Sequence, residues 1–151
     1  METQALTEES NMSKVVVIRD LEFNWPALAT PKAPFGTEQW EVQVATTDKK
    51  KVDELKAVGI NVREADGKYV ANVKRKTKNT KGEPLERPKV VDKEKSELAV
   101  ETIRKIGNGS RGAIKVFSYD WSAGGRSGTS AMLTEVQVTD LIEYSEGGDE
   151  F

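Results

Sequence analysis

Apolar residues recur at every second position in several short stretches of the chain, and this pattern limits the possible fold more than any other feature. A period of two places successive side chains on opposite faces of a strand. The stretches are 15–25, 40–44, 69–76, 89–92, 114–121 and 132–144. In the first of them the odd positions are apolar apart from Arg19, and they carry Val15, Val17, Leu21, Phe23 and Trp25. The last predicts one long strand with Met132, Val136 and Val138 on one face. We therefore expect five or six strands.

Two segments between these stretches predict loops. Pro26, Pro31, Pro34 and Gly36 fall close together and predict an irregular loop, because proline cannot donate to a strand ladder. Residues 77–88 have turn chemistry, no periodicity and several bases, and we interpret them as a mobile basic loop.

Two other segments predict short helices. Asp48 can cap a helix over 49–58, whose Val52 and Leu55 share one face, and Gly59 is suited to its end. Residues 96–106 show a weaker helical pattern. Since no alternation of strand, helix and parallel strand is present, the fold class is mainly all-β. We expect a five-to-six-stranded antiparallel barrel with one or two short inserted helices, in a chain whose 151 residues suit one domain.

The composition removes several kinds of chemistry. The chain contains no histidine and no cysteine, which excludes Ser-His-Asp and Cys-His nucleophiles, zinc sites built from those residues, and disulfides. Carboxylates, lysine or tyrosine could still serve a catalyst, but the prediction is a protein that is not an enzyme, with no cofactor and no metal. No leader pattern or long apolar run is present, so we expect a soluble cytoplasmic protein.

The net charge of −2 conceals an ordered distribution. Residues 1–10 carry a net charge of −3 and residues 135–151 carry −6, whereas the body between them holds 23 basic and 16 acidic residues, a net of +7. The bases are densest over 68–95, with ten against four acids. Ordinary solvation of a small protein with polar tails would account for such a layout. A cationic body is equally typical of a protein that binds a polyanion.

The stretch 114–121 favours the second interpretation. Its odd positions place Lys115, Phe117, Tyr119 and Trp121 on one face, while Ile114 and Val116 point to the other. Single-stranded nucleic acid binds to such a face, since its bases stack on aromatic rings and its phosphates attract cations. The alternative makes Phe117 and Tyr119 ordinary core residues.

A basic strand and loop supply the second half of a groove. Lys74 and Lys76 share one face of a strand, and Lys78, Lys81 and Arg87 extend the charge into the following loop. The candidate residues for binding single-stranded DNA are Trp25, Lys74, Lys76, Lys78, Arg87, Arg111, Lys115, Phe117, Tyr119, Trp121 and Arg126. The glycine-containing, acidic tail with a final aromatic residue is the candidate site for a protein partner, through Glu143, Glu146, Asp149, Glu150 and Phe151.

Several short motifs, taken in order, resemble those of the single-stranded-DNA-binding proteins of tailed phages. They are N-W-P-A-L-A-T-P-K-A-P at 24–34 with the strand of Trp40, K-V-V-D at 89–92, I-G-N-G-S at 106–110, F-S-Y-D-W at 117–121 and the final D-E-F. The resemblance implies an oligonucleotide/oligosaccharide-binding (OB) barrel. It also implies that Tyr119 and Lys74 contact DNA, and that the tail Glu143–Phe151 competes with DNA and binds replication partners such as a polymerase, a helicase or a primase.

Together these features predict a non-enzymatic protein that coats single-stranded DNA in phage replication or recombination, in the host cytoplasm if a phage encodes it. A homo-oligomer and a monomer both stay open. The predicted organisation is an acidic, disordered arm over 1–13, an OB domain over 14–144 and an acidic tail over 145–151. An OB-type module that binds structured RNA or acts as a protein adaptor remains the alternative.

Overall fold

The computed structural model describes residues 13–33, 36–79 and 81–143. In chain order the elements are β1 (Ser13–Lys32), β2 (Gln39–Thr46), α1 (Lys49–Ala57), β3 (Arg63–Ala65), β4 (Lys68–Lys76), β5 (Lys89–Val91), α2 (Val100–Arg104), β6 (Ser110–Ala123) and β7 (Arg126–Asp140). The predicted arm over 1–13 lies outside these residues except for Ser13, which begins β1. The predicted tail over 145–151 lies entirely outside them.

The strands form one sheet in the order β3-β4-β2-β1-β6-β7-β5. The prediction of a mainly all-β fold with few helices is confirmed, but the strand count and the all-antiparallel closed barrel were wrong. Seven strands are present in the described residues, β5 pairs with β7 in parallel, and the hydrogen-bonded order does not close on itself. The three residues of β3 are all exposed, so this strand leaves no alternation in the sequence. Alternation also carries no information about the direction of a partner strand.

The core lies between the inward faces of the long strands. Phe23, Val42, Ile114 and Leu133 are each almost completely buried there, one from each of β1, β2, β6 and β7. The helix α1 adds Leu55 to the same cluster. This burial is what turns the remaining side chains of β4, β6 and β7 outwards, where a ligand can reach them.

The predicted helix over 49–58 is confirmed, one residue shorter than expected. Asp48 caps it by accepting a hydrogen bond of 2.9 Å from the backbone N–H of Lys50. Gly59 follows it with φ of +95°, a conformation that favours glycine. The second predicted helix is reduced to the five residues of α2, anchored by the buried Ile103. No helix within the described ranges is both long enough and apolar enough to span a bilayer.

A bulge in β1 divides the alternation that the sequence presents as a single face. Ile18 is opposite Ile114, but Leu21 is opposite Gly112, so β1 contains one extra residue between them. The backbone of Asp20 takes φ of +60° there. An extra residue exchanges the two faces of a strand. Val15 is therefore 61% exposed although Leu21 is fully buried, and the interpretation of 15–25 as one apolar face was wrong.

The irregular loop predicted for 26–36 was also wrong in its first part, because β1 continues to Lys32. Pro26 and Pro31 both lie where the register with β2 shifts, the first between Asn24 and Ala27 and the second between Ala27 and Lys32. Residues at such bulges need not donate to the ladder, so proline is tolerated in the strand. Gly36, with φ of +85°, belongs to the true turn.

A second bulge corrects the prediction for β7. Lys115 is opposite Glu135 whereas Val116 is opposite Leu133, which leaves one extra residue in β7. As a result Met132 pairs with Phe117 on the outer face, while Val136 and Val138 face the core. These three residues do not share a face, and β7 ends at Asp140 rather than near 144.

The turn chemistry predicted for 77–88 is confirmed. Lys78 and Pro84 form an isolated bridge, and the backbone N–H of Leu85 donates to the carbonyl of Thr77 over 2.7 Å. The Asn79 side chain accepts from the N–H groups of Lys81 and Glu83. The basic residues of this segment therefore project from a hydrogen-bonded turn that continues β4.

Candidate nucleic-acid interface

The outer face of β4 carries a row of polar and basic side chains. Asn72, Lys74 and Lys76 point outwards because Ala71 and Val73, which alternate with them along β4, are buried in the core. The outward residues line a hollow of about 480 Å³ that we call the basic hollow. Its lining residues are Lys32, Thr37, Gln39, Glu41, Asn72, Lys74 and Lys76.

The floor of the basic hollow is a hydrogen-bonded network around one acid. Glu41 is only 5% exposed, and its carboxylate accepts hydrogen bonds from the side-chain amides of Gln39 and Asn72. Lys32 Nζ lies 3.7 Å from the same carboxylate. With three lysines against one carboxylate, the charged residues of the hollow sum to a net positive charge, which attracts phosphate.

The predicted face of β6 is confirmed. Ile114 and Val116 are buried, whereas Lys115, Phe117, Tyr119 and Trp121 point outwards; we call these four residues the aromatic stripe. Tyr119 is 37% and Trp121 39% exposed, so neither is an ordinary core residue. An exposed row of rings on a rigid strand can accept stacked bases.

Contacts within the stripe hold its rings in place. Phe117 and Tyr119 stack with their centroids 5.9 Å apart and their planes at 24°. Trp121 packs over its neighbour in β7, since a Cβ added to Gly128 would lie 2.9 Å from Trp121 Cζ2. Rings held in this way lose little further freedom when they bind a base.

A second cavity lies between the basic hollow and Ser130 of β7, and it shares Asn72 and Lys74 with the hollow. Ser130 is the register partner of Tyr119, and it lines a cavity of about 290 Å³ together with Asn72 and Lys74. This cavity lies where β4 approaches β7 and also receives Arg63. Lys74 and Tyr119, the two residues to which the sequence resemblance points, therefore flank the same residue.

Lys115 is the charged residue of the aromatic stripe, and its charge is already paired with an acid. Lys115 Nζ lies 3.2 Å from a carboxylate oxygen of Glu135 across the β6–β7 pair. The stripe is bordered on the other side by Val15 and Val17 of β1, which are register partners of Phe117 and Lys115. These two residues are apolar, and Val17 and Lys115 also line a hollow with Arg19 and Lys95.

The remaining candidates line neither the basic hollow nor the cavity at Ser130. Trp25 is 66% exposed at the register shift between Asn24 and Ala27, where its backbone N–H donates to Asn108 Oδ1 over 2.7 Å. Arg111 lines a different hollow, with Glu22 and Lys68. Lys78 and Arg87 are exposed beside the turn after β4. Arg126 is exposed at the start of β7 and pairs with Ala123, two positions beyond the Trp121–Gly128 pair, so it continues the face of the aromatic stripe.

The hollow that contains Arg111 holds a strong ion pair. Lys68 Nζ lies 2.8 Å from Glu22 Oε1, and this hydrogen bond holds the pKa of Glu22 below its usual value of 4.5, with smaller contributions from Asn24 and Arg111. Attraction of this kind stabilises the ionised carboxylate. The charges here compensate one another, unlike those of the basic hollow.

Sequence reasoning missed several residues of the surface. Lys32 was hidden by the prolines on either side of it, Gln39 by its place just before the predicted strand 40–44, and Arg63 by the lack of alternation in β3. Glu41 occupies an outward position of β2, and the sequence carries no signal that it is buried. Within the described ranges, no group of acids has the arrangement needed to hold a metal ion.

Comparison with solved structures gives the class of fold. The chain has the fold of the single-stranded DNA-binding proteins of bacteriophages. The protein of bacteriophage Enc34 matches with a TM-score of 0.56 at 18% identity, over 93% of this chain and 88% of that one. Its complex with single-stranded DNA matches with the same score at 16% identity, over 89% and 90%. The T7 protein gp2.5 likewise gives 0.56 at 16% identity, over 91% and 92%. No protein-family model and no curated protein sequence matches the chain.

Proposed function

We propose that this protein binds single-stranded DNA without sequence preference, and coats and protects the strands exposed during phage DNA replication or recombination. The observation that carries the proposal is that Lys74 of the basic hollow also lines the cavity of Ser130, whose register partner is Tyr119 of the aromatic stripe. The fold, shared with phage proteins that bind single-stranded DNA, supports it.

The chemistry of the surface suits this ligand. Lys74 and Lys76 present mobile ammonium groups to the phosphates, and Tyr119 and Trp121 present flat faces to the bases. Stacking contributes about 1 to 3 kcal/mol per base and is available to every base, so it does not discriminate between sequences. In a duplex the faces of the bases are covered by stacking on the neighbouring base pairs, and a preference for single strands follows.

We propose further that the acidic tail recruits replication proteins. Glu143 is the last described residue and bridges Ile106, while Glu146, Asp149, Glu150 and Phe151 lie outside the described residues. The proposal is supported by the sequence alone, since the tail opposes the charge of the body and adds an aromatic residue that can enter an apolar pocket of a partner.

A titration with oligo-dT tests the DNA proposal. Trp121 and Trp25 are exposed whereas Trp40 is buried, so intrinsic fluorescence reports on the surface, and a Trp25→Phe variant isolates the signal of the stripe. If about five phosphates are neutralised, log affinity should fall against log salt with a slope of about −3.5. Binding that is independent of salt, or equal binding to duplex DNA or hairpin RNA, would contradict the proposal.

Deleting residues 146–151 tests the tail. The truncated chain should bind oligo-dT more tightly and should no longer bind a replication polymerase or helicase in a pull-down. A Phe151→Ala variant keeps the acids and separates the two effects, since it should lose only the partner. Unchanged behaviour in both assays would reject the role of the tail.

A further inference from the structure

We propose that Glu41 is an internal competitor for phosphate, which holds Lys32 out of contact with DNA and limits the affinity of the basic hollow. This inference rests on the proposed function, and it identifies a residue of the same surface that limits the affinity for DNA. A carboxylate in the floor of a phosphate-binding hollow opposes binding, so its presence calls for a physical reason.

The position of Glu41 is specific. Its side chain is 7% exposed, and each carboxylate oxygen is engaged: Oε1 accepts from Gln39 Nε2 over 2.9 Å, and Oε2 accepts from the Asn72 amide. Burying a carboxylate carries a large desolvation cost unless it is hydrogen-bonded and paired with a charge. The two amides satisfy the hydrogen-bonding capacity of the carboxylate, but they do not compensate its negative charge.

Lys32 supplies the compensating charge. Its ammonium lies 3.7 Å from Glu41 Oε2, and within the described residues this is the ion pair that Glu41 forms at 4 Å or less. Lys74 is the register partner of Glu41 on the neighbouring strand, and it lines the same hollow as an exposed side chain. The three lysines of the hollow are therefore not equivalent, because one already has a carboxylate partner.

Two consequences follow for a phosphate that enters the hollow. It is attracted by Lys74 and Lys76 but repelled by the carboxylate beneath them, and Lys32 can reach it only by leaving Glu41. Burial strengthens both effects, since screening by water and salt is weaker there. The hollow thus binds through two lysines at reduced strength, which favours release of the strand when another protein needs it.

The test is Glu41→Gln, which keeps the size of the side chain and a carbonyl that can accept from Asn72. We expect about five- to tenfold tighter binding to oligo-dT at low salt, since a like charge has been removed from beside the phosphate. Because Lys32 becomes free to contact phosphate, the slope of log affinity against log salt should steepen by about 0.7. The matched control is Glu97→Gln, which makes the same charge change and releases Lys89, 3.6 Å away, outside the hollow.

Lys32→Gln, alone and combined with Glu41→Gln, completes a double-mutant cycle. In the parent chain it should weaken binding, by leaving Glu41 without its counterion, but leave the slope unchanged. In the Glu41→Gln background it should remove the added 0.7 of slope. The Glu41→Gln variant is judged only if its far-ultraviolet circular dichroism spectrum is native. If it is not, the single Lys32→Gln variant tests the proposal by itself. A slope shallower by about 0.7 than that of the parent would show that Lys32 already contacts phosphate, and would overturn the proposal.

The outcomes separate this inference from the proposed function. If the parent chain does not bind oligo-dT, the proposed function fails. If it binds and Glu41→Gln binds no more tightly than Glu97→Gln, the function stands and Glu41 is only a structural residue.

Discussion

Removing the two lysines that β4 contributes to the basic hollow is the most direct test of where the phosphates bind. Lys74→Ala with Lys76→Ala changes two side chains on the outer face of β4 and leaves the buried Ala71 and Val73 beside them untouched. The fold should therefore be retained, while the hollow keeps only Lys32, which is paired with Glu41.

The size of the effect follows from counterion release. Each phosphate contact on a single strand contributes about 0.7 to the slope of log affinity against log salt, so the loss of two contacts should reduce the slope by about 1.4. If the parent and the double variant bind equally at 1 M salt, this difference in slope makes the variant bind about 25-fold more weakly than the parent at 0.1 M salt, or by about 1.9 kcal/mol. Fluorescence anisotropy of labelled oligo-dT across a salt series measures both quantities.

A matched variant distinguishes local contacts from total charge. Lys93→Ala with Lys105→Ala removes the same charge from exposed positions that line neither the basic hollow nor the β4–β7 cavity. This variant should keep nearly the parent slope. Equal losses in the two double variants would refute the assignment of the hollow, because the effect would then come from the overall field of the protein.

Three further predictions concern single residues. Tyr119→Ala should weaken oligo-dT binding by about 1 to 3 kcal/mol, whereas Tyr119→Phe retains the ring and should bind almost as the parent does. Equal losses of affinity in the two variants, measured by fluorescence anisotropy, would argue against stacking. Gly112→Ala should destabilise the fold by about 3 kcal/mol or more in urea unfolding, since the added Cβ would lie 1.8 Å from the carbonyl oxygen of Gln137; an unchanged midpoint would contradict this. Glu22→Gln should lower the melting temperature at pH 7 but not at pH 3. The pKa of Glu22 is lowered in the folded state, so its pair with Lys68 stabilises the fold above about pH 4.5, and this stabilisation is lost as the pH falls through the folded-state pKa. The partial exposure of the pair limits the effect to about 1 kcal/mol. Equal losses at the two pH values would contradict that assignment.

The sequence predicted the faces of β4 and β6 because each of these strands keeps strict alternation over the residues that matter. Lys74 follows the buried Val73, and Phe117 and Tyr119 follow the buried Val116 and Ser118, with no extra residue between them. The helix over 49–58 was predicted for a similar reason, since its cap at Asp48 and its end at Gly59 are local signals.

The faces of β1 and β7 could not be predicted in this way. A single extra residue beside Asp20 turns Val15 outwards, and another in β7 turns Met132 outwards. A bulge depends on how two strands pair, and the residues of one strand do not encode the register of the other. The continuation of β1 through Pro26 was missed for the same reason.

The amino-acid sequence by itself determined which chemistry is possible: no histidine or cysteine, a basic body between acidic ends, and one strand with a row of aromatic residues. These are properties of residue type and local spacing, and they persist in any fold. Only the tertiary structure decided which charges are available. It joined Lys74 to Tyr119 through Ser130, assigned Lys115 to Glu135, and buried Glu41 beneath the lysines, because the distance between charges on different strands is set by sheet pairing and not by their separation along the chain.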